Sequence, residues 1–325
     1  MTRVIDRAKS KMIGEQILNH LFCYRRLWSE TDPCAQEPCS SCLVPHLQKI
    51  ESFIEQEKPI HFVLPAFPAK SPNKTKVLGS LPDMGERISL QFLQSLCVQI
   101  QDFYAPGAQI TICSDGRVFS DLVCVNDEDV TAYGKEIKNI LDDIGADAIN
   151  IFNLEGIFAG LSCDDIRQKL VLNYADSLET IRCRVKNDPN ERNLFNGIHR
   201  FLFEDYLFLQ PSKSRNRLRN ESKKSAYGVI QRSHAWSDLI AEQFPHTIRL
   251  SIHPQPVHSE KIGIHMIKTQ DAWATPWHNV AVYDGKQFLL MKRSEAESMG
   301  ASLVWCNNRP SHFILSDTPN SPLQE

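Results

Sequence analysis

Short apolar, β-branched runs alternate with amphipathic stretches over residues 60–160. Residues 60–64 (IHFVL), 109–114 (QITICS) and 149–153 (INIFN) read as strands. Between them, residues 85–100 place Ile88, Phe92, Leu96 and Ile100 on one helical stripe. A second helix over 130–141 is entered through Asp127 or Asp129, and residues 118–123 fit helix or extended chain equally. This alternation predicts an α/β fold: a mostly parallel, Rossmann-like sheet flanked by helices. Upstream, Ile13, Ile17, Leu18, Leu21 and Leu27 predict a helix over 8–30. A Cys/Pro loop at 31–42 and a helix over 43–56 follow. Downstream, residues 162–174 and 178–186 read as helices and 187–245 as mostly helical. From 246 the chain turns to strands at 247–252, 262–267, 279–283 and 287–292, an added C-terminal strand and hairpin region. Asp284-Gly285 between the last two is a hairpin signal. The Ser/Pro-rich last 15 residues read as loose. The expected organisation is an N-terminal helical segment (1–58) packed on a single catalytic domain (59–310), with a tail at 311–325.

Composition narrows the classes. With 325 residues, 42% hydrophobic and 23% charged, the chain can bury a full core. A net charge of -3 argues against a molecule tuned as a whole for nucleic acid or anionic membrane. No apolar run approaches the roughly 18 residues of a membrane span, and the first residues lack a secretory apolar stretch. The expected compartment is the cytoplasm, where most of the ten cysteines serve as small buried hydrophobes. Cys34, Cys39, Cys42 and His46 have the spacing Cys-x4-Cys-x2-Cys-x3-His, four possible zinc ligands. The spacing is not that of paired knuckles, and the surrounding prolines and serines suggest a plain loop, so no metal is expected.

Candidate chemistry clusters at the predicted strand ends, where open α/β sheets bind ligands. After the first strand, Lys70, Ser71, Asn73, Lys74 and Lys76 offer ammoniums, a hydroxyl and an amide, donors suited to phosphate. Asp83 and Glu86 offer these lysines a purely structural pairing instead. After the second strand come Asp115, Gly116 and Arg117, with Asp121 one helical turn on: a proton acceptor beside a bidentate clamp, or an ordinary turn. Arg249, Ser251 and His253 share one face of a strand. Trp273, Trp277 and His278 crowd the entry to another, as walls for a flat substrate or as a packed turn. The basic run at 213–224 lacks interleaved aromatics and reads as a solvated helix face or a lid.

Taken in order, PAFPAKSPN (65–73), KVLGSLPDMGE (76–86), CSDGRVFSDLV (113–123), RLSIHP (249–254), TPWHNVAV (275–282) and DG (284–285) resemble the pyoverdine/dityrosine biosynthesis family, in its bacterial isocyanide synthase branch. The resemblance spans most of the chain. It implies an enzyme that converts the amine of an aromatic L-amino acid, tyrosine ahead of tryptophan, to an isocyanide. Ribulose 5-phosphate would supply the carbon, with no metal or redox cofactor. It also implies hand-over of the product to an iron/2-oxoglutarate oxygenase, and it allows a homodimer. Carried onto this chain, Lys70, Asp115, His253 and His278 become catalytic candidates. Ser71, Asn73, Lys74, Asp83, Arg117, Asp121, Arg249 and Trp277 become substrate-binding candidates. Phosphate falls to the Lys70 loop, the carboxylate to Arg117 or Arg249, protons to Asp115 and His253 or His278, and the ring to Trp277 and Phe67. Two rivals stand beside this reading: an aldolase-type phosphosugar lyase using Lys70 as Schiff base, and a nucleic-acid or partner-binding module centred on 213–224.

Overall fold

The computed structural model describes residues 7–271 and 273–315. Helix α1 (Arg7–Phe22) buries Ile13, Ile17, Leu18 and Leu21. A single turn, α2 (Pro33–Gln36), is capped by Asp32. Helix α3 (Ser40–Glu55) begins earlier than its apolar stripe suggests, packs on α1 and buries Ile50 and Ile54. The helix expected to run to residue 30 stops at Phe22, because Arg26 turns inward. Its N–H donates to the Gly263 carbonyl (2.8 Å). Its guanidinium donates to the carbonyls of Ile252 (2.7 Å), Ala274 (3.0 Å) and Asp271 (3.2 Å). Arg25 and Leu27 bridge to Ile264 and Gln255, so the segment joins the sheet edge.

The central sheet contains β1 (Ile60–Pro65), β2 (Ala108–Cys113), β3 (Ile149–Phe152), β4 (Ile248–Ser251) and β5 (Lys261–Gly263). All pairings are parallel, in the order β3-β2-β1-β4-β5. The alternation of side chains sorts the core. Phe62 and Leu64 face α1, α3, α4 (Met84–Ile100) and α6 (Asp127–Asp143). Val63 and Cys113 face the opposite layer of α8 (Cys163–Tyr174) and α11 (Arg215–Gln243). The segment at 118–123 is the end of a short helix, α5 (Gly116–Phe119), and a turn; α7 (Leu154–Ile157) follows β3. Helices α9 (Leu178–Asn187) and α10 (Pro189–Leu209) complete the helical stretch, and α10 packs along α11.

The strand expected at 262–267 pairs with β4 only as far as Gly263. A Cβ there would stand 2.3 Å from the Arg26 carbonyl oxygen, so only glycine admits the inward strap. The C-terminal region is richer than one hairpin. It is a second sheet of β6 (Lys268–Thr269), β7 (Val280–Tyr283), β8 (Phe288–Met291), β9 (Ser302–Cys306) and β10 (Arg309–Ile314), ordered β6-β8-β7-β10-β9, with α12 (Arg293–Ser298) between β8 and β9. The predicted hairpin is present: Asp284 accepts from the N–H groups of Lys286 and Gln287 (both 2.9 Å). A second hairpin turns through Asn307 and Asn308, at φ 50 and 60. Strand β10 therefore occupies the start of the stretch expected to be loose, and residues 316–325 lie outside the described residues.

Candidate functional site

Strands β1 to β3 run to one side of the sheet and β4 and β5 to the other. The carboxyl ends of β1 and β4 thus border the switch-point crevice, where open sheets bind ligands. The loop leaving β1 holds the phosphate-type donors, yet its side chains point into the protein. Lys70 Nζ is fully buried and meets Asp83 Oδ2 (2.8 Å), Glu86 Oε2 (2.8 Å) and the Pro276 carbonyl (2.9 Å). An ammonium has three donors, and all three are engaged. Burial works against the Lys70 charge, but Asp83 and Glu86 outweigh it and its pKa is raised. Asp83 and Glu86 also form the capping box of α4: Gly85 N–H donates to Asp83 (2.9 Å) and Asp83 N–H to Glu86 (3.0 Å). Ser71 (3.3 Å), Asn73 (2.9 Å) and Lys76 (2.8 Å) converge on buried Asp205 of α10. Lys74 is exposed. The structural pairing, not an open anion cradle, is what this loop displays.

The clamps divide. Arg117 donates to Glu155 (2.7 Å), the Asp127 carbonyl (2.9 Å) and Thr131 (2.7 Å), and pairs with the Asp127 carboxylate. Asp121 is held by both Nη atoms of Arg232 (2.5 and 2.9 Å). Gly116 is required by packing, since a Cβ would lie 2.0 Å from the Pro68 carbonyl oxygen. Asp115 differs from its neighbours. Its Oδ1 is buried without a partner, and burial pushes the carboxyl up to about 7.

Arg249 makes one long bond to Ser237 Oγ (3.3 Å), and its buried Nε has no partner. Burial pushes the Cys113 thiol up to about 12, with Arg249 opposing and Asp115 adding, so both charges act at the same strand end. His253 Nδ1 is likewise buried and unpartnered. Burial, then Arg26 and Lys261, lowers His253 to about 4, a neutral imidazole near neutral pH. His278 sits with Nδ1 on Thr275 Oγ1 (3.1 Å) and its ring 4.2 Å from Phe201. Burial and then nearby Lys76 lower its pKa well below the usual range. Trp277 is a core residue packed on Phe67 at 5.3 Å, not an open wall.

Further residues with buried, unpartnered polar atoms lie on α10 and α11. Glu191 and His234 lie 3.1 Å apart, each with a buried unpartnered atom, Oε2 and Nδ1. The Lys261 pKa is lowered by burial, then by Arg249, with Glu191 and Asp238 opposing. A cavity of about 400 Å³ opens between Trp28, Asn193, Arg200, Pro254 and Trp273. The Trp273 ring stands 5.2 Å from His253, so flat aromatic walls adjoin the imidazole. No local pattern announces Trp28, Glu191 or Lys261.

Two other features find their places. The basic run becomes the start of α11, where Lys213 and Arg217 pair with Glu221 (both 2.9 Å) and Arg215 and Arg219 lie over Phe203. Cys34, Cys39 and Cys42 converge, but with His258 and not His46, whose ring packs on Phe22. Among the described residues, no helix is long and apolar enough to cross a membrane.

Comparison with known proteins adds an independent line. Residues 50–304 match the family described as pyoverdine/dityrosine biosynthesis protein. The L-tryptophan isonitrile synthase AmbI2 of Fischerella ambigua is 61% identical over 98% of this chain and 97% of its own length. The L-tyrosine isonitrile synthase of Pseudomonas aeruginosa is 49% identical, covering 92% of this chain and 93% of its own. The crystal structure of the PvcA protein from Pseudomonas aeruginosa superposes with a TM-score of 0.88 at 48% identity, over 93% of this chain and 99% of that one.

Proposed function

The chain belongs to the pyoverdine/dityrosine biosynthesis family, and from that premise we propose that it is an isonitrile synthase turning the amine of L-tryptophan into an isocyanide with ribulose 5-phosphate as carbon donor. Support for tryptophan, in place of the tyrosine first favoured, is the gradient of identity. Relatives named for tryptophan are 61% and 59% identical, and those named for tyrosine 49% and 45%. The room between Trp28 and Trp273 suits a two-ring side chain.

The observation that carries the chemistry is Asp115, half-buried, with Oδ1 buried and unpartnered and its carboxyl pushed up to about 7. Such a group takes a proton from an amine at working pH and returns it in a later step. In this reading the amine condenses with the ketone of the sugar. Proton transfers, loss of phosphate and carbon–carbon cleavage complete the path. Arg249 holds the amino acid carboxylate, its guanidinium having no carboxylate partner of its own among the described residues. Arg200 at the cavity rim and Lys261 hold the sugar phosphate. Neutral His253 hydrogen-bonds the substrate at the inner wall. Lys70, Ser71 and Asn73 act at one remove, fixing the loop between β1 and α4. A Schiff base at Lys70 is disfavoured, because a nucleophilic lysine needs a lowered pKa and this one is raised. The product passes to an iron/2-oxoglutarate oxygenase, and the compartment is the cytoplasm.

The test is incubation of the purified chain with ribulose 5-phosphate and each aromatic amino acid. Mass spectrometry should find a product of substrate plus carbon minus two hydrogens, formed fastest from tryptophan. No such product from any of them would overturn the proposal; faster conversion of tyrosine would overturn the substrate assignment alone.

A further inference from the structure

We propose that Cys34, Cys39, Cys42 and His258 form a zinc site that fastens the N-terminal helical segment to the loop after β4. The four ligand atoms all lie within 4.8 Å of one another. Cys39 Sγ is 3.2 Å from His258 Nε2 and 4.0 Å from Cys42 Sγ, and Cys34 Sγ is 3.8 Å from the same imidazole nitrogen. A tetrahedral zinc with bonds of ~2.3 Å to sulfur and ~2.1 Å to nitrogen needs edges of about 3.8 Å (S···S) and about 3.6 Å (S···N). The two S···N separations bracket the second edge, and the 4.0 Å S···S separation lies slightly above the first. The cysteines are free thiols, and 4.0 Å between sulfurs is far beyond a disulfide bond.

The local structure explains why the sulfurs converge. Asp32 caps α2 and accepts from the Cys34 N–H (2.9 Å), orienting that residue. Cys39 is the N-cap of α3, and the Cys42 N–H donates to its carbonyl (2.9 Å). Both therefore sit at the positive end of a 16-residue helix. Arg25 donates to the carbonyls of Cys34 and Ala35, pinning α2 from behind. His258 arrives from the other end of the chain on a residue with φ 61, a left-handed conformation that turns the chain sharply. Three thiolates and one imidazole in a closed tetrahedron are a structural zinc set, with no open position for a substrate. Such a site would hold the 252–258 loop, which carries Pro254 to the cavity and His253 beside Trp273.

Metal analysis of the reduced full-length chain, purified from zinc-supplemented cells, should find about one zinc per chain. Zinc should fall at least several-fold in His258→Ala and in Cys39→Ser/Cys42→Ser, and stay unchanged in Cys183→Ser, an exposed cysteine elsewhere. Cobalt(II) in the unmutated chain should give tetrahedral ligand-field bands with thiolate charge transfer, a readout that needs no variant to fold. Sub-stoichiometric zinc after reconstitution, an octahedral cobalt spectrum, or full zinc retention in both variants would each overturn the proposal.

Discussion

The loop at 66–83 and the crevice between β1 and β4 are built from similar residues: lysine or arginine, aspartate, hydroxyls and amides. Their hydrogen bonding is opposite. In the loop every donor of Lys70 ends on an internal acceptor, and Ser71, Asn73 and Lys76 share Asp205. By contrast, Asp115 Oδ1 after β2, Arg249 Nε in β4, His253 Nδ1 after β4 and Glu191 Oε2 in α10 are buried without partners. Leaving one buried polar group unpaired costs about 1–3 kcal/mol. Buried groups left unpaired within the protein are ones that a ligand or a bound water can satisfy. Residue type suggested the loop; hydrogen-bond satisfaction points to the crevice.

Substitutions can break or sharpen this contrast. The largest effect is expected at Asp115. Asp115→Asn should lower kcat by about 10² to 10⁴, the usual worth of a general base. In the unmutated chain kcat should rise with pH and level off above about 7, as the carboxyl ionises. Stability should move the other way. The folded pKa is raised from 3.8 to about 7, so the unfolded state holds fewer protons between those values and stability falls as pH rises. Asp115→Asn should therefore raise Tm most above pH 7 and least near pH 4; a lowered Tm at pH 8 would refute the buried, unpaired carboxylate.

Lys70→Ala should act on the fold. Removing one partner of a buried ionic cluster costs about 3–5 kcal/mol, here by leaving Asp83 and Glu86 facing each other. Denaturant melts should show the loss, and it should shrink at pH 5 as Asp83, whose carboxyl burial pushes up to about 7, protonates. Borohydride with a ketose phosphate should trap no adduct on Lys70. A trapped adduct would return the loop to the chemistry.

Arg249→Met should raise KM for the amino acid by roughly 100-fold, about 3 kcal/mol of lost charge pairing, with a smaller change for the sugar phosphate. Equal losses for both would merge the two anion sites. Lys74→Ala is expected to do least: the side chain is exposed, and a change within about 0.5 kcal/mol and near-normal kcat/KM should result. A large kinetic loss there would revive the loop as a phosphate grip.

The sheet was legible because its strands are short, β-branched and separated by stripes at spacings of three and four, and the Asp-Gly hairpin because its turn chemistry is local. The Asn307-Asn308 hairpin carried an equally local signal, masked by the Ser/Pro-rich composition around it. The Asp83–Glu86 capping box was readable from its spacing alone. Of the candidate site, Asp115, Arg249 and His253 could be named from strand ends. Glu191, His234 and Lys261 could not, because they come from two helices and an edge strand that only the finished fold assembles. Nearness in sequence misled at the cysteines. His46 has the spacing of a ligand but is turned onto Phe22, and distant His258 takes the position instead.

Strand β1 is the centre of its sheet, but its partner β4 is made much later. Phe62 pairs with Ile248 and Val63 with Arg249. At ordinary synthesis rates that interval lasts roughly 10 to 40 s. During it the nascent chain gains β2 and then β3 while one flank of β1 stays open, a strand edge able to recruit a neighbour. The order in which this protein is written thus leaves its middle unfinished until α10 and α11 have been made. Yield on expression should depend on how well that interval is guarded.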